Sequence, residues 1–229
     1  MQTRTRRVSG AVLAGAAVLA LTTACGSDRG DGRAAELTLT QAELPGGFTA
    51  VKLGKDEIQS MADQLHDATA KTTVSPSGCA APGSVAGSVD TGHTGLMAAR
   101  SRDHAISESV VPVVPGAPGT DLTAARERVS GQCRSVRVEV GAGPIKDARI
   151  DVGYTVLPSP VIRASQTLVV ESASHTVHGR GSGTSRLLVG RAVVGGYAVT
   201  VQMSSLAEAD LDRAAFEKIF AAAVDKVAA

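Results

Sequence analysis

The chain has 229 residues, a net charge of +1 and 43% hydrophobic residues, with no Trp, two Tyr and three Phe. This length suffices for one domain with a sizeable core, which must be built from Val, Leu, Ile and Ala. The balanced charge argues against a nucleic-acid-binding surface, and the shortage of aromatic rings argues against stacking platforms for sugars or single-stranded nucleic acid.

The N-terminus has the layout of an export signal. Three arginines precede an almost uncharged run over residues 8–21, which is shorter than the ~20 apolar residues of a membrane-spanning helix. Small residues then lead directly to Cys25, which resembles a bacterial lipobox, although Thr22 stands where a Leu is usual. The resemblance implies that residues 1–24 are removed and that Cys25 carries a lipid on the outer face of the cell membrane. The alternative is an ordinary secreted protein that is cut nearby.

Lipidation changes how the three cysteines are interpreted. If Cys25 carries the lipid, Cys79 and Cys133 remain, and an oxidising exterior is expected to pair them. The alternative is two buried free thiols. Removal of residues 1–24 leaves a net charge of −2, because that segment holds three arginines and no carboxylate. Residues 25–36 are predicted to be a flexible tether and residues 37–229 the folded domain.

The first half of the domain is predicted to mix short helices and strands. Thr40 and Glu43 form a capping box for a helix of one turn, and an amphipathic pattern predicts a longer helix further on. Pro112 suggests that the strand containing it lies at a sheet edge, and Thr120 is the expected cap of the next helix. The predicted elements are an extended piece at 48–51, a helix at 55–71, a turn at 74–78, strands at 94–102 and 104–114, and a helix ending at Gly131.

The second half is predicted to be mostly strands. Leu168, Val169 and Val170 are consecutive apolar residues at the centre of one strand, which indicates burial on both faces. A capping box at 205–208 is expected to open a final helix whose apolar stripe contains two of the three Phe residues. The predicted strands are 136–140, 150–156, 161–171, 186–194 and 197–203, with a loop or hairpin end within 172–185 and a Gly195-Gly196 hairpin turn. The fold class is therefore α+β, with a mostly antiparallel β-sheet of about six to eight strands and helices packed on one face.

Patterns for catalysis, metals and cofactors are weak. The glycines at 179–183 lack the Lys of a P-loop and the third glycine of a dinucleotide fingerprint, and no Gly-x-Ser-x-Gly motif follows the signal. His175 and His178 point to opposite faces if they lie on one strand, so exposed histidines are favoured over a metal site. A triad could be drawn from His93, His104, Ser101, Asp103 and Ser107, but no spacing supports it. The sequence predicts no catalytic residue, metal or cofactor.

Several motifs resemble one family. The Ser-Pro-Ser-Gly run before Cys79, the Gly-Gln pair before Cys133 and the Val-Gly-Gly-Tyr-Ala-Val-Thr-Val run at 194–201 lie in a helix-then-strand order. This arrangement is similar to the extracellular sensor domain of the actinobacterial serine/threonine kinase PknH and its stand-alone lipoprotein relatives, over about residues 37–227. The resemblance implies a strongly curved antiparallel sheet with a ligand-binding cleft. That kinase domain has two disulfides where this chain can form one, and no kinase segment is present here.

Three functions follow as hypotheses. The first is a cell-surface lipoprotein whose non-catalytic, sensor-like domain binds an envelope ligand, which could be a small molecule, a lipid or a protein. The second is a lipid or glycolipid carrier with an apolar cavity. The third is an envelope hydrolase. The first is favoured because a tethered, disulfide-stabilised domain without a catalytic pattern fits binding better than chemistry.

Overall fold

The computed structural model describes residues 33–52, 54, 56, 60, 63, 71–79, 93–114, 120–143, 145–206 and 209–229. The signal segment 1–24, Cys25, most of the tether, most of the helix predicted at 55–71 and the loop at 115–119 lie outside these residues. Within the part described, no helix is long and apolar enough to cross a membrane.

Among the described residues, nine strands form one antiparallel sheet, one strand more than the upper limit predicted from sequence. The strands are β1 (Thr49–Val51), β2 (Thr72–Ser75), β3 (Gly95–Arg100), β4 (His104–Pro112), β5 (Ser135–Val140), β6 (Arg149–Leu157), β7 (Gln166–His178), β8 (Gly181–Val194) and β9 (Tyr197–Ser205). Their order across the sheet is β1-β3-β4-β9-β8-β7-β6-β5-β2. The helices whose ends lie within the described residues are α1 (Arg33–Glu36), α2 (Leu122–Ser130) and α3 (Arg213–Ala228), with 3-10 turns at Gln41–Glu43 and Ser77–Cys79.

The centre of the sheet is the β7–β8 hairpin, which is longer than predicted. Its two strands pair from Gln166↔Val193 to His178↔Gly181, so most of the segment 172–185 is strand and only the turn at Gly179 was predicted correctly. Ser172 and Thr176 are buried there although they are polar. Their backbone groups are paired on both sides by neighbouring strands, and this pairing outweighs the weak strand signal of their side chains.

The main core lies between α3 and one face of β4, β9 and β8, called here the α3 face. Phe216, Ile219 and Phe220 of α3 are fully buried against this face, together with Val199 and Val201 of β9. Gly190 of β8 permits the close approach, because a Cβ there would lie 2.9 Å from the Phe220 ring. The space between α3 and the sheet is therefore filled by side chains.

A second core lies on the opposite face, called here the α2 face. Leu122 of α2 packs on Leu168 and Val170 of β7, whereas Val169 between them belongs to the main core. The predicted two-sided burial of this run is confirmed. The prediction that the helices share one face is wrong, because alternate residues of the central strands are apolar on both sides and each side requires a helix to cover it.

Some element ends differ from the predictions. Asp121 rather than Thr120 caps α2, and its carboxylate accepts a hydrogen bond from Ala124 N–H at 2.9 Å. Asp212 caps α3 in the same way, so this helix begins at Arg213 and not at the box at 205–208. In both cases the residue nearest the first helical turn supplies the cap. The strand predicted from residue 161 begins at Gln166.

Two further differences from the sequence predictions concern the surroundings of β3: the position of Pro112 and the end of the predicted tether. Pro112 does not lie on an edge strand, since β4 pairs with β3 and β9; it is tolerated because β3 pairing ends at Gly95↔Val110. The end of the predicted tether is ordered, because Ala34 of α1 is buried against β3. Gly95 allows this contact, since a Cβ there would overlap the Ala34 carbonyl group.

Candidate functional site

The disulfide between Cys79 and Cys133 is formed, with a Cα–Cα distance of 5.4 Å. It joins the 3-10 turn after β2 to the segment between α2 and β5, and the Arg128 side chain of α2 donates a hydrogen bond to Gly78 O at 3.1 Å. The alternative of two free thiols is therefore wrong. The bond fixes the chain at Cys133, two residues before β5 begins at Ser135.

The histidines and serines considered for chemistry occupy structural positions. Ser101 Oγ accepts hydrogen bonds from the backbone N–H groups of Asp103 and His104, at 3.3 and 3.0 Å, and so forms the β3–β4 turn. His104 Nε2 lies 2.8 Å from Asp210 O and must donate to it, since a carbonyl oxygen only accepts. Ser101 and His104 are therefore not arranged as nucleophile and base.

The other candidate residues are dispersed. Ser107 is exposed on the α2 face, and His93 precedes β3. His175 and His178 are both exposed on β7. Among the residues that the structure describes, no group of three or more His, Cys, Asp or Glu side chains is placed to hold a metal ion.

An open pocket lies on the α3 face of β5, β6 and β7, where α3 no longer covers the sheet. We call it the β5–β7 pocket; its volume is about 350 Å³. Its floor is the cross-strand pair of Gly153 and Ala173, whose side chains are too small to fill the depression. A Cβ on Gly153 would find only Ala173 O, at 4.0 Å. The pocket is lined by Arg134, Ser135, Gly153, Tyr154, Thr155, Glu171 and Ala173.

The charges around this pocket are mostly paired. Glu171 Oε1 accepts hydrogen bonds from Arg186 Nε at 2.9 Å and from Arg186 Nη2, and Arg186 also contacts Asp210 at 3.3 Å. The hydrogen bond to Glu171 raises the pKa of Arg186. Further along the same face, Arg137 Nε donates to Asp151 at 2.7 Å, and this hydrogen bond lowers the pKa of Asp151. Arg134 has no such carboxylate partner within the described chain.

A buried carboxyl group forms a second unusual feature, which sequence analysis missed. Glu108 of β4 is 1% exposed, and its Oε2 accepts a hydrogen bond from Leu39 N–H at 2.8 Å. Its Oε1 has no hydrogen-bond partner among the residues described. Burial raises the pKa of Glu108 to about 7, although the Leu39 hydrogen bond and the Lys226 charge oppose the rise. The sequence signal for this burial is the position of Glu108 between Ile106 and Val110, in the alternating residues of β4 that face the core.

Nearby, a surface ion pair holds the N-terminal segment against α3. Glu43 accepts a hydrogen bond from Lys226 Nζ at 2.7 Å and from Thr40 N at 2.7 Å, which confirms the predicted capping box. The Lys226 hydrogen bond is the main reason that the pKa of Glu43 is lowered to about 2. Together with the Glu108–Leu39 bond, this pair attaches residues 37–44 to the sheet and to α3.

Comparison with known proteins gives fold relatives only. No protein-family model matches the chain, and no curated protein matches it in sequence. The extracellular domain of PknH from Mycobacterium tuberculosis is similar in structure, with a TM-score of 0.50, 17% identity and coverage of 88% of this chain and 97% of that chain. A Mycobacterium smegmatis protein described as an Rv0999 ortholog gives a TM-score of 0.48, 19% identity and coverage of 82% and 93%. The chain therefore resembles the PknH sensor domain in fold.

Proposed function

We propose that this protein is a non-catalytic, lipid-anchored domain on the outer face of the cell membrane that binds an envelope ligand or partner protein at the β5–β7 pocket. The observation that carries this proposal is the pocket itself. It is an open depression beyond the part of the α3 face that α3 covers, and charged and hydroxyl-bearing residues line it together with Gly and Ala. Pockets of a few hundred Å³ with a few polar groups are typical of ligand sites.

The likeness in fold to an extracellular domain supports an extracytoplasmic location, as does the Cys79–Cys133 disulfide. The lipid anchor on Cys25 remains part of the proposal, because that residue lies outside the part of the chain described. Its test is a Cys25→Ser variant followed by membrane fractionation. We expect the wild-type protein in the membrane fraction and the variant in the soluble fraction; equal membrane association would contradict the anchor.

Ligand binding is tested by the melting temperature of the processed protein in the presence of cell-envelope extract. A Gly153→Val variant is the matched control, because the added side chain fills the pocket without a close contact in the sheet. We expect the extract to raise the melting temperature of the wild type and not of the variant. Failure of every extract to shift the wild type would remove the support for binding.

The pocket is open and its lining includes Arg134, Ser135, Thr155 and Glu171, which fits a bound ligand better than the enclosed apolar cavity that the lipid-carrier hypothesis requires. Native mass spectrometry checks this directly, because a carrier should copurify with lipid. Serine- and histidine-directed activity probes check the hydrolase hypothesis, and we expect no labelling, since Ser101 and His104 are both engaged in structural hydrogen bonds.

A further inference from the structure

We propose that residues 33–45, called here the strap, form a pH-dependent cover on the sheet, which stays docked while Glu108 is protonated and is released as Glu108 ionises. The strap lies at the β3–β4 side of the sheet, away from the β5–β7 pocket, so the inference does not depend on ligand binding there. It follows from three observations: the contacts that hold the strap, the place of Glu108 beneath it, and the glycines at its end.

The strap is held by a short list of contacts. It consists of α1, the 3-10 turn and the residues around that turn, and its Leu39 and Leu44 side chains are buried in the main core. In the described chain, its polar contacts with the sheet and with α3 are the hydrogen bond from Leu39 N–H to Glu108, the Glu43–Lys226 ion pair, and the hydrogen bonds of Gln41 to the backbone of Phe48 and Ala50. Gln41 and Glu43 are on the surface, where water can replace their partners.

Glu108 lies directly beneath the strap. Its Oε2 is 2.8 Å from Leu39 N, and its side chain is 1% exposed. The neighbours on the same face of the sheet are Met97 of β3 and Val201 of β9, which are apolar. Its Oε1 has no hydrogen-bond partner among the residues described. An ionised Glu108 in the docked protein would therefore be a buried charge with a single hydrogen bond, which is costly.

The charged groups near Glu108 do not remove this cost. In the described chain, Lys226 of α3 lowers the pKa of Glu108 and Glu43 of the strap raises it, but burial is the largest effect and raises the pKa to about 7. Glu43 itself stays ionised between pH 5 and 8, because its pKa is about 2. Over this range, Glu108 is therefore the carboxyl group beside the strap whose charge changes.

The direction of the pH effect follows from the two states of the strap. In the released form Glu108 meets water, and its pKa returns to the ordinary value of 4.5. Below pH 4.5 the group is neutral in both forms. Between pH 4.5 and about 7 the released form ionises while the docked form stays neutral, so the equilibrium shifts progressively toward release and levels off above about 7. From pH 5 to pH 8 the equilibrium constant for release should rise roughly 70-fold.

Release of the strap is the smallest rearrangement that exposes Glu108. Moving β3 or β9 would break the strand pairing on either side of β4, and moving α3 would expose Phe216 and Phe220. The strap instead ends at Gly46 and Gly47, where no atom lies near the position of a Cβ and Gly47 has a φ of 93°. Two such glycines can absorb the backbone rotation of a hinge.

Release has two consequences. It uncovers the part of the main core that Leu39 and Leu44 cover. It also lengthens the connection between the sheet and Cys25, because residues 33–45 span at most about 45 Å when they are extended. The second consequence rests on the lipid anchor of the proposed function, whereas the first and the pH dependence do not.

Amide hydrogen exchange of the processed, disulfide-bonded protein tests this inference. The rate at Leu39 N–H is measured by NMR at pH 5 and pH 8 and divided by the rate of an unstructured peptide at the same pH, which removes the intrinsic pH dependence. Val199, at the centre of β9, is the internal reference, and the rates are repeated in urea below the unfolding midpoint. The variants are Glu108→Gln and, as a matched control, Glu43→Gln, which removes the other carboxylate that holds the strap.

We expect the corrected Leu39 rate of the wild type to rise roughly 70-fold from pH 5 to pH 8. Low urea should change this rate little, because strap release exposes less surface than unfolding does, and should accelerate exchange at Val199. Glu108→Gln should reduce the pH effect to less than about threefold. Glu43→Gln should raise the Leu39 rate at both pH values, because the ion pair with Lys226 is lost, and should keep the rise with pH.

Three results overturn the inference. The first is a wild-type Leu39 rate that, once corrected, rises less than about threefold from pH 5 to pH 8. The second is a Leu39 rate equal to that of Val199 with the same dependence on urea, which would mean that the strap is released only in global unfolding. The third is a rise that persists in folded Glu108→Gln. The first two need the wild type alone, so the test does not depend on whether Glu108→Gln folds.

Discussion

The buried carboxyl group of Glu108 predicts an unusual dependence of stability on pH. Its pKa is raised from 4.5 to about 7 in the folded protein because the side chain is buried. Below pH 4.5 the group is neutral in both the folded and the unfolded state, so its favourable contribution is fully present. As the pH rises from 4.5 to about 7, the unfolded state ionises while the folded state stays neutral, so this contribution is lost progressively and is gone above about 7.

The size of the loss follows from the pKa change. A rise from 4.5 to about 7 corresponds to about 3 kcal/mol of the free energy of unfolding. Glu43 acts in the opposite direction, because its pKa is lowered to about 2 and its stabilisation is lost only as the pH falls below 4.5. Its side chain is 39% exposed, so we expect that effect to be at most about 1 kcal/mol. The range between pH 5 and 7 therefore reports mainly on Glu108.

Urea unfolding of the disulfide-bonded protein at pH 5, 6, 7 and 8 measures this dependence. With a slope of about 2 kcal/mol per molar urea, the midpoint should fall by about 1.2 M between pH 5 and 8, because part of the loss has already occurred at pH 5. Glu108→Gln should flatten the profile over this range, whereas Glu139→Gln, which alters an exposed carboxylate on β5, should keep it. A wild-type midpoint that is constant or rises from pH 5 to 8 would refute the reasoning.

Three further predictions concern packing and the disulfide, and all are measured by urea unfolding at pH 6. Gly190→Ala should destabilise the protein by about 1–3 kcal/mol, because its Cβ would lie 2.9 Å from the Phe220 ring; an unchanged midpoint would contradict this packing. Gly153→Val, the matched strand glycine, should change stability by less than about 1 kcal/mol, since the site above it is open; a loss as large as that of Gly190→Ala would mean that the pocket is filled. Replacing both Cys79 and Cys133 by Ala should cost about 4 kcal/mol, because the bond spans 54 residues; a cost near zero would show that the bond is not formed in solution.

Much of the fold could be predicted because its determinants are local. The Gly195-Gly196 turn fixed one hairpin, and both glycines have the positive φ values, 58° and 82°, that such a turn requires. The run Leu168–Val170 indicated a strand buried on both faces. Such a strand needs cover on each face, but only the helix at the C-terminal end has an apolar stripe wide enough to indicate packing on the sheet.

The candidate site could not be predicted, because it depends on long-range pairing. Gly153 and Ala173 form a floor only once β6 and β7 pair in this register, and nothing near either residue in sequence indicates it. Likewise, Arg137 and Arg186 find carboxylates only because the fold brings Asp151 and Glu171 beside them from other strands. Sequence patterns specify which residues are charged, but the fold decides which charges are left unpaired.

The central claim is that the β5–β7 pocket is where this domain binds its ligand. Amide NMR spectra of the processed protein, recorded with and without the envelope fraction that raises its melting temperature, test the claim most directly. We predict chemical-shift changes concentrated at Ser135, Gly153, Thr155 and Ala173, and their loss in Gly153→Val. Changes confined to β1, β3 or α3, or the same changes in Gly153→Val, would contradict it.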